Sequence, residues 1–243
     1  MRDKLKPEEY FIKYLKKAEE REIKFKTALI SGTVKEEQIK GVKYELLSIS
    51  LHGLIAKYSS GLGVPELRKD FSEVIENMEA GWLDKGNTPE DKFHRDTYIK
   101  TLWIISIGIL LKVDQIDFVR ISNIIRNTKR HDFLIDLFLD FRLKNIERSN
   151  KITYENPYKL FSEIAKQPGE EASVKLKTFL DSEYYRSMNG TYWYDNHKNK
   201  FDIYFGYWSF ESAALTVVLG LDDRNYRDNQ YYPKDLVDYF RDN

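Results

Sequence analysis

The chain has 243 residues, of which 42% are hydrophobic and 32% charged, the composition of a globular protein with a sizeable core. Lysine plus arginine and aspartate plus glutamate both number 39, so the chain lacks the basic excess of a dedicated nucleic-acid-binding protein. It contains no cysteine, which excludes disulfides, a thiol nucleophile and cysteine-ligated metal sites.

Apolar residues recur at three- and four-residue steps along most of the chain, and this period predicts an all-α fold of about ten helices. Alternating β-branched runs are nearly absent, so no substantial sheet is expected. The first three helices are predicted to start near Pro7, Val34 and Pro65, the second after a capping box formed by Thr33 and Glu36.

The remaining helices follow from similar signals at their ends. The fourth is predicted to begin after the N-cap Thr88 and to continue through Leu111. The later ones are expected at about 114–127, 133–146, from 156 onward, 170–186, 207–219 and after 233.

The most apolar stretch, LWIISIGILL at Leu102–Leu111, is about half as long as a bilayer crossing requires. The N-terminus is charged and amphipathic, without the apolar run of a secretory signal. We therefore expect a soluble, cytoplasmic protein that does not associate with membranes.

A polar stretch, Ser149–Asn156, separates a broadly charged N-terminal part from an aromatic-rich C-terminal part. It predicts helical regions at residues 1–150 and 151–243, forming either a single helical domain or two closely packed subdomains. From Asp181 onward there are eleven acidic and seven basic residues, so the C-terminal part carries a net charge of −4.

Few residues occur in a pattern that supports catalysis. The four histidines share no metal-ligand spacing, and the chain has no nucleophile elbow, kinase motifs or dinucleotide-binding fingerprint. Asp222, Asp223 and Asp228 have oxygens suited to a divalent cation, but the segment also reads as a helix end followed by a turn. We predict no catalytic residue, no metal site and no cofactor.

Glu211 is the more ambiguous carboxylate. On a helix it would lie among Tyr207, Trp208 and small apolar residues, where a buried carboxylate needs hydrogen-bond partners. The interpretation we favour is a structural residue satisfied by tyrosine, tryptophan or arginine side chains. The alternative is a general acid or base with a raised pKa.

Several ordered motifs resemble those of the PoNe-immunity (PoNi) family. The C-terminal ones include GTYWYDNH at Gly190–His197, YFGYWSFESAA at Tyr204–Ala214, and YYPKDLV at Tyr231–Val237. LDD at Leu221–Asp223 and, near the N-terminus, LIAKYSSG at Leu54–Gly61 are also similar to family elements. The chain departs from the family at Tyr184, where tryptophan is common.

The resemblance implies an all-helical, non-enzymatic immunity protein. Such proteins bind and neutralise a DNase toxin of the PD-(D/E)xK-like class, often one delivered by a type VI or related secretion system. The family supplies no catalytic residues to carry over. The implied partner is therefore a cognate toxin rather than nucleic acid, and a homodimer is also possible.

A DNase presents a basic surface to DNA, so we expect exposed acids of the C-terminal part to face the toxin. The candidates are Asp195, Asp202, Asp222, Asp223 and Asp228. Residues of the aromatic motifs are assigned a structural role, namely Tyr207, Trp208, Glu211, Tyr232, Pro233 and Asp235.

Three alternatives stay open at this point. The shared motifs could be fold signatures, with toxin contact made by other loops. The protein could be a helical scaffold for another partner. It could also be a carboxylate- or metal-dependent hydrolase that uses Glu211, His197 and the pair Asp222 and Asp223.

Overall fold

The computed structural model describes residues 1–83 and 94–243, and the helical prediction is confirmed throughout them. These residues form eleven α-helices, a five-residue π-helical segment and one short 3-10 helix, and no strand occurs among them. Contacts divide the chain into two compact units. Unit 1 comprises Met1–Lys85 and Asp195–Gly206, and unit 2 comprises Gly86–Tyr194 and Tyr207–Asn243.

Unit 1 is built from three long helices and the returning segment 195–206. The helices are α1 (Glu8–Ile30), α2 (Glu36–Ser60) and α3 (Val64–Gly81). Helix α2 ends where Gly61 adopts a φ of 103°, a left-handed conformation that glycine tolerates without strain. Helix α3 buries a single apolar stripe, as expected of a helix with one face toward the core.

Unit 2 contains the other eight helices, arranged around α4. Every residue of α4 from Thr97 to Leu110 is buried, which agrees with a sequence that is apolar on nearly all faces. The helices of unit 2 are α4 (Arg95–Leu110), α5 (Gln115–Arg126), α6 (Phe133–Leu143), α7 (Glu155–Ile164), α8 (Gly169–Thr178), α9 (Tyr184–Ser187), α10 (Phe210–Leu219) and α11 (Lys234–Asp242).

Several helix ends differ from their predicted positions. The capping box predicted at Thr33 and Glu36 is not formed, because the Thr33 hydroxyl donates to the Ala28 carbonyl and Lys35 is the N-cap of α2. Helix α6 stops at Leu143, since the next two residues have positive φ angles. The predicted cap at Thr88 lies outside the described residues.

Two helices of the C-terminal part are also shorter than predicted. The single helix expected at 170–186 is interrupted by the π-helical segment Phe179–Glu183. The helix expected to start at Tyr207 begins at Phe210, preceded by Gly206 at a φ of 127°. Tyr207 and Trp208 therefore lie before the helix, and Glu211 is in its first turn.

Candidate partner-binding site

The loop between α10 and α11, residues 220–233, brings three of the predicted acids together. Asp222 and Asp228 are exposed, and each is paired with a basic residue of the same region. The Arg224 guanidinium lies 2.7 Å from an oxygen of Asp222 and lowers the pKa of that carboxyl, while the Lys234 ammonium is 2.6 Å from Asp228.

The third acid, Asp223, belongs to the same loop but is buried. Its carboxylate accepts hydrogen bonds from Arg241 at 2.8 Å, from Arg227 at 3.2 Å and from the Tyr232 hydroxyl at 3.2 Å. Arg227 also donates to Asp238 of α11 at 2.7 Å. Asp223 thus joins the loop to α11 through charge-assisted bonds in which the carboxylate is buried and the arginines are partly exposed.

The same loop is tied to α8 and the π-helical segment. The Ser173 hydroxyl donates to the Asp222 carbonyl at 3.0 Å, and the Asn229 amide donates to Asp181 at 2.9 Å. Asp181 is also paired with Lys177, which lowers the pKa of its carboxyl. The exposed carboxylates of the loop are therefore held on a firmly anchored backbone.

Next to this loop lies a tyrosine stack, which we define as Tyr185, Tyr194 and Tyr231. The Tyr185 ring lies 4.7 Å from the Tyr194 ring and 5.7 Å from the Tyr231 ring, with interplanar angles of 26° and 5°. All three are partly exposed, and Tyr231 belongs to the same loop as the acids. Sequence reasoning did not assign these residues to a site.

A signal for the tyrosine stack was present in the sequence as two tyrosine pairs. In each pair, 184–185 and 231–232, one ring is fully buried and the other is partly exposed. The buried rings of Tyr184 and Tyr232 serve the core, and the partly exposed ones stack on each other. Partly exposed tyrosines are favoured at protein interfaces, because they bury a large area and lose few rotamers.

The other two predicted acids, Asp195 and Asp202, belong to unit 1. Asp195 has a φ of 60° and pairs with Lys198 at 3.0 Å. Asp202 is largely covered and accepts bonds from Lys17 and Lys13, which lower the pKa of its carboxyl. The structure therefore divides the five predicted acids between the two units and pairs each with a cation.

Segment 195–206 is fastened to the helices of unit 1 by several hydrogen bonds. The Tyr204 amide donates to the Tyr10 hydroxyl at 2.8 Å, and that hydroxyl donates to the Tyr204 carbonyl at 3.0 Å. The Tyr204 hydroxyl bonds to the buried Asp3 carboxylate. The Ser59 hydroxyl donates to the Phe205 carbonyl at 2.8 Å, and the His52 ring stacks on Phe205.

Glu211 is fully buried, but the hydrogen-bond network predicted for it is not found. Neither carboxylate oxygen has a hydrogen-bond partner among the described residues. Burial raises the pKa of Glu211 to about 8, because the charged form is poorly solvated in the core. Glu211 lies in the first turn of α10 and Tyr207 and Trp208 precede the helix, so the three residues do not have the helical spacing that was predicted.

The other residues assigned a structural role lie in or near the core of unit 2. Tyr207 and Trp208 are buried, and Tyr232 bonds to Asp223 as described above. Pro233 is the N-cap residue of α11, and Asp235 lies in its first turn, where a negative charge favours the helix dipole.

Of the residues named for the hydrolase alternative, Glu211 belongs to unit 2 and His197 to unit 1. Burial lowers the pKa of His197, and the nearby Asp195 carboxylate offsets part of that effect. Within residues 1–83 and 94–243, no three histidine or acidic side chains converge as a metal site would require. No helix in these ranges has the length and hydropathy to cross a bilayer.

Comparison with known proteins gives a consistent result. Two family models of the PoNe immunity proteins (PoNi) match this chain. The model of the N-terminal region matches residues 2–123, and the model of the C-terminal region matches residues 130–236. The crystal structure of protein PA2201 from Pseudomonas aeruginosa resembles this chain with a TM-score of 0.71 at 17% identity. That likeness covers 96% of this chain and 88% of the other, and it concerns the fold alone. A search of curated proteins found no match.

Proposed function

The chain belongs to the family of PoNe immunity proteins, and from that premise we propose that it neutralises a cognate DNase toxin by direct, non-catalytic occlusion. The observation that carries the proposal is that the two family models together span almost the whole chain. The toxin would be of the PD-(D/E)xK-like class, delivered by a type VI or related secretion system, and the protein would act in the cytoplasm.

Within unit 2, the α10–α11 loop and the tyrosine stack are the proposed contact surface. Asp222 and Asp228 would form ion pairs with basic side chains of the toxin's DNA-binding face. These pairs would replace their present ones with Arg224 and Lys234. Opposite charges across such an interface speed association and favour the correct partner. The three tyrosines would bury the ring surface that their mutual stacking leaves exposed against the same part of the toxin.

Asp223 has a different part in this proposal. Its carboxylate is enclosed by Arg227, Arg241 and Tyr232, so it would position the loop and make no contact of its own. Asp195 and Asp202 are likewise engaged by lysines of unit 1. In their case the proposal is that the carboxylates fix segment 195–206 and that neighbouring side chains reach the toxin.

The first test is co-expression with the product of the adjacent reading frame. We expect the neighbour alone to degrade host DNA, and we expect this protein both to prevent the damage and to co-purify with the toxin. A neighbour that stays toxic and unbound in the presence of this protein would refute the proposal for that pair. Turnover of DNA by the purified protein alone would favour the hydrolase alternative.

The contact surface is tested by charge reversal at Asp222 and Asp228. The double variant Asp222→Lys, Asp228→Lys is expected to keep its melting temperature and to lose protection. Asp222→Lys alone is compared with Glu163→Lys, an exposed charge reversal on α7 that changes the net charge equally and is expected to protect normally. Full protection by the double variant would exclude this loop as the contact.

A further inference from the structure

Several polar atoms in the core of unit 2 have no hydrogen-bond partner among the described residues. Three of these groups are the carboxyl of Glu211 on α10, the hydroxyl of Tyr158 on α7 and the indole nitrogen of Trp193. The three residues are 0%, 3% and 1% exposed. A polar group buried without a partner is costly, so native proteins satisfy nearly all such groups with protein atoms or with ordered water.

The positions of Tyr158 and Trp193 are fixed by ring contacts with the central helix α4. The Tyr158 ring lies 5.2 Å from the Tyr98 ring, and the Trp193 ring lies 5.8 Å from the Trp103 ring. Tyr98 and Trp103 are five residues apart on α4, which is about 7.5 Å along the helix axis. Both polar groups are therefore gathered around a short stretch of one buried helix.

Glu211 lies beside the same stretch of α4. Phe210, the residue before it, contacts the Trp103 ring at 6.3 Å. Burial raises the pKa of the Tyr158 hydroxyl, and the Glu211 carboxyl is the neighbouring group that raises it most after burial. Burial also raises the pKa of Tyr98, to which Glu211 contributes in the same direction. Glu211 is thus close to Tyr158, yet no direct hydrogen bond joins the two side chains.

We infer that the core of unit 2 binds at least one ordered water molecule, which bridges the Glu211 carboxyl and the Tyr158 hydroxyl. A water molecule donates two hydrogen bonds and accepts two, so it satisfies a carboxyl and a hydroxyl at the same time. The indole nitrogen of Trp193 is a further donor to this water or to a second one. The bridge joins α7 to α10, a link that neither side chain makes directly, and it does not depend on the proposed function.

Water fits these groups better than a metal ion or a dry cavity. Metal ions in oxygen sites take several ligands, and in the part of the chain that the structure describes no three histidine or acidic side chains converge. The Glu211 pKa of about 8, raised by burial, leaves the carboxyl mostly uncharged at neutral pH, so it needs no counter-ion. Cavities that stay dry are lined by apolar groups, whereas this site has an acceptor and two donors.

The main test is a crystal structure of the full chain at a resolution that shows ordered water. We expect density for a water molecule within hydrogen-bond distance of both a Glu211 oxygen and the Tyr158 oxygen. A second crystal soaked in rubidium chloride separates water from a monovalent cation, because rubidium scatters anomalously and water does not. An anomalous peak beside Glu211, or the lack of any density between the two side chains, would overturn the inference.

Replacing the carboxyl tests the same water in solution. Glu211→Leu has no polar atom to hold it and is expected to lose at least one of the long-lived water molecules that oxygen-17 relaxation dispersion counts. Glu211→Gln still donates and accepts, so it is expected to keep the wild-type number. Glu163→Leu, an exposed change on α7, is the control and is also expected to keep it. Equal numbers in wild type and Glu211→Leu would show that the carboxyl holds no water.

The variant Tyr158→Phe keeps the inference testable if Glu211→Leu does not fold. It removes only the hydroxyl, so we expect its crystal structure to show the water lost or moved away from α7. Tyr226→Phe is the matched control, because Tyr226 is also buried but its hydroxyl lies 3.0 Å from the Thr216 hydroxyl, a direct partner. A water molecule that keeps its position and occupancy in Tyr158→Phe would refute the bridge.

Discussion

At the scale of single residues, Glu211 makes the stability of unit 2 depend on pH. Its folded-state pKa of about 8 lies above the ordinary value of 4.5 that applies to the unfolded chain. Below pH 4.5 the carboxyl is protonated in both states and burial carries no charge penalty. As pH rises toward 8, unfolding releases a proton, so the free energy of unfolding falls by on the order of 5 kcal/mol.

Replacing the ionisable group isolates this effect. Glu211→Gln keeps the shape of the side chain but cannot ionise, so we expect it to match the wild-type stability near pH 4.5. At pH 9 the variant is expected to be more stable by several kcal/mol. Urea unfolding at pH 5, 7 and 9 measures the difference, with Glu163→Gln on the surface as control. Parallel pH profiles for wild type and Glu211→Gln would show that the buried carboxyl does not titrate as described.

Asp223 and Asp222 are adjacent in sequence but differ in what they stabilise. Asp223→Asn removes a buried charge facing two arginines and is expected to lower the free energy of unfolding by about 2 to 3 kcal/mol, since the arginines are partly exposed. Asp222→Asn alters an exposed pair and is expected to leave the unfolding midpoint unchanged. Chemical denaturation of both variants checks this contrast, and equal midpoints would contradict it.

At the scale of helices, the close approach of α2 and α3 depends on one glycine. A methyl group on Gly81 would lie 2.4 Å from the carbonyl carbon and oxygen of Lys43, which belong to the backbone and cannot rotate away. Gly81→Ala is therefore expected to force the two helices apart and to destabilise the protein by about 1 to 3 kcal/mol.

The control for Gly81 lies on α2 itself. Gly41 is exposed within the helix and has open space where a methyl group would be added. Gly41→Ala is expected to stabilise the protein by up to about 1 kcal/mol, because alanine favours helix more than glycine does. Thermal unfolding of the two variants should move in opposite directions, and a stabilising Gly81→Ala would contradict the close packing.

The sequence was sufficient to predict most helices, because their apolar period is a local property, although the capping box predicted at Thr33 and Glu36 is not formed. It failed where a distant contact decides the local structure. The Ser209 amide donates to the Tyr231 carbonyl at 2.8 Å, and α10 begins at Phe210 and not at Tyr207 as predicted. No local sequence pattern predicts this hydrogen bond between distant residues.

The site was less predictable than the fold for the same reason. Sequence identified the acidic character of the loop, but Asp222 and Asp223 are neighbours with similar local surroundings. Only Asp223 is buried, because Arg241, eighteen residues later, returns with α11 to bond to its carboxylate. The tyrosine stack likewise needs two distant segments to meet at Tyr185 and Tyr231.

At the scale of the whole chain, neither unit is a continuous stretch of sequence. The chain leaves unit 1 near residue 85, returns at Asp195 and leaves again after Gly206. These points differ from the region boundary predicted at residue 150. They also differ from the ends of the family matches, which cover residues 2–123 and 130–236. A fragment made at any of these points would separate the three helices of unit 1 from segment 195–206.

This topology predicts that the N-terminal half does not fold by itself. In residues 1–123, Tyr10 would lose its bonds to Tyr204, Phe11 its ring contact with Tyr204, and Ser59 its bond to Phe205. We expect such a fragment, or the 1–150 fragment, to unfold without a sharp transition and to be cut rapidly by protease. Apolar surface left exposed in this way is typical of an incomplete domain.

Restoring the missing segment should restore folding. Residues 1–85 joined by a flexible glycine–serine linker to residues 195–206 are expected to unfold cooperatively, because the fusion contains every part of unit 1. The same fusion carrying Tyr204→Ala is the control, since it lacks the ring that contacts Tyr10 and Phe11. Calorimetry and limited proteolysis compare three proteins: the fusion, its Tyr204→Ala variant, and residues 1–85 alone. If residues 1–85 alone unfold as cooperatively as the fusion, segment 195–206 is not required to complete unit 1.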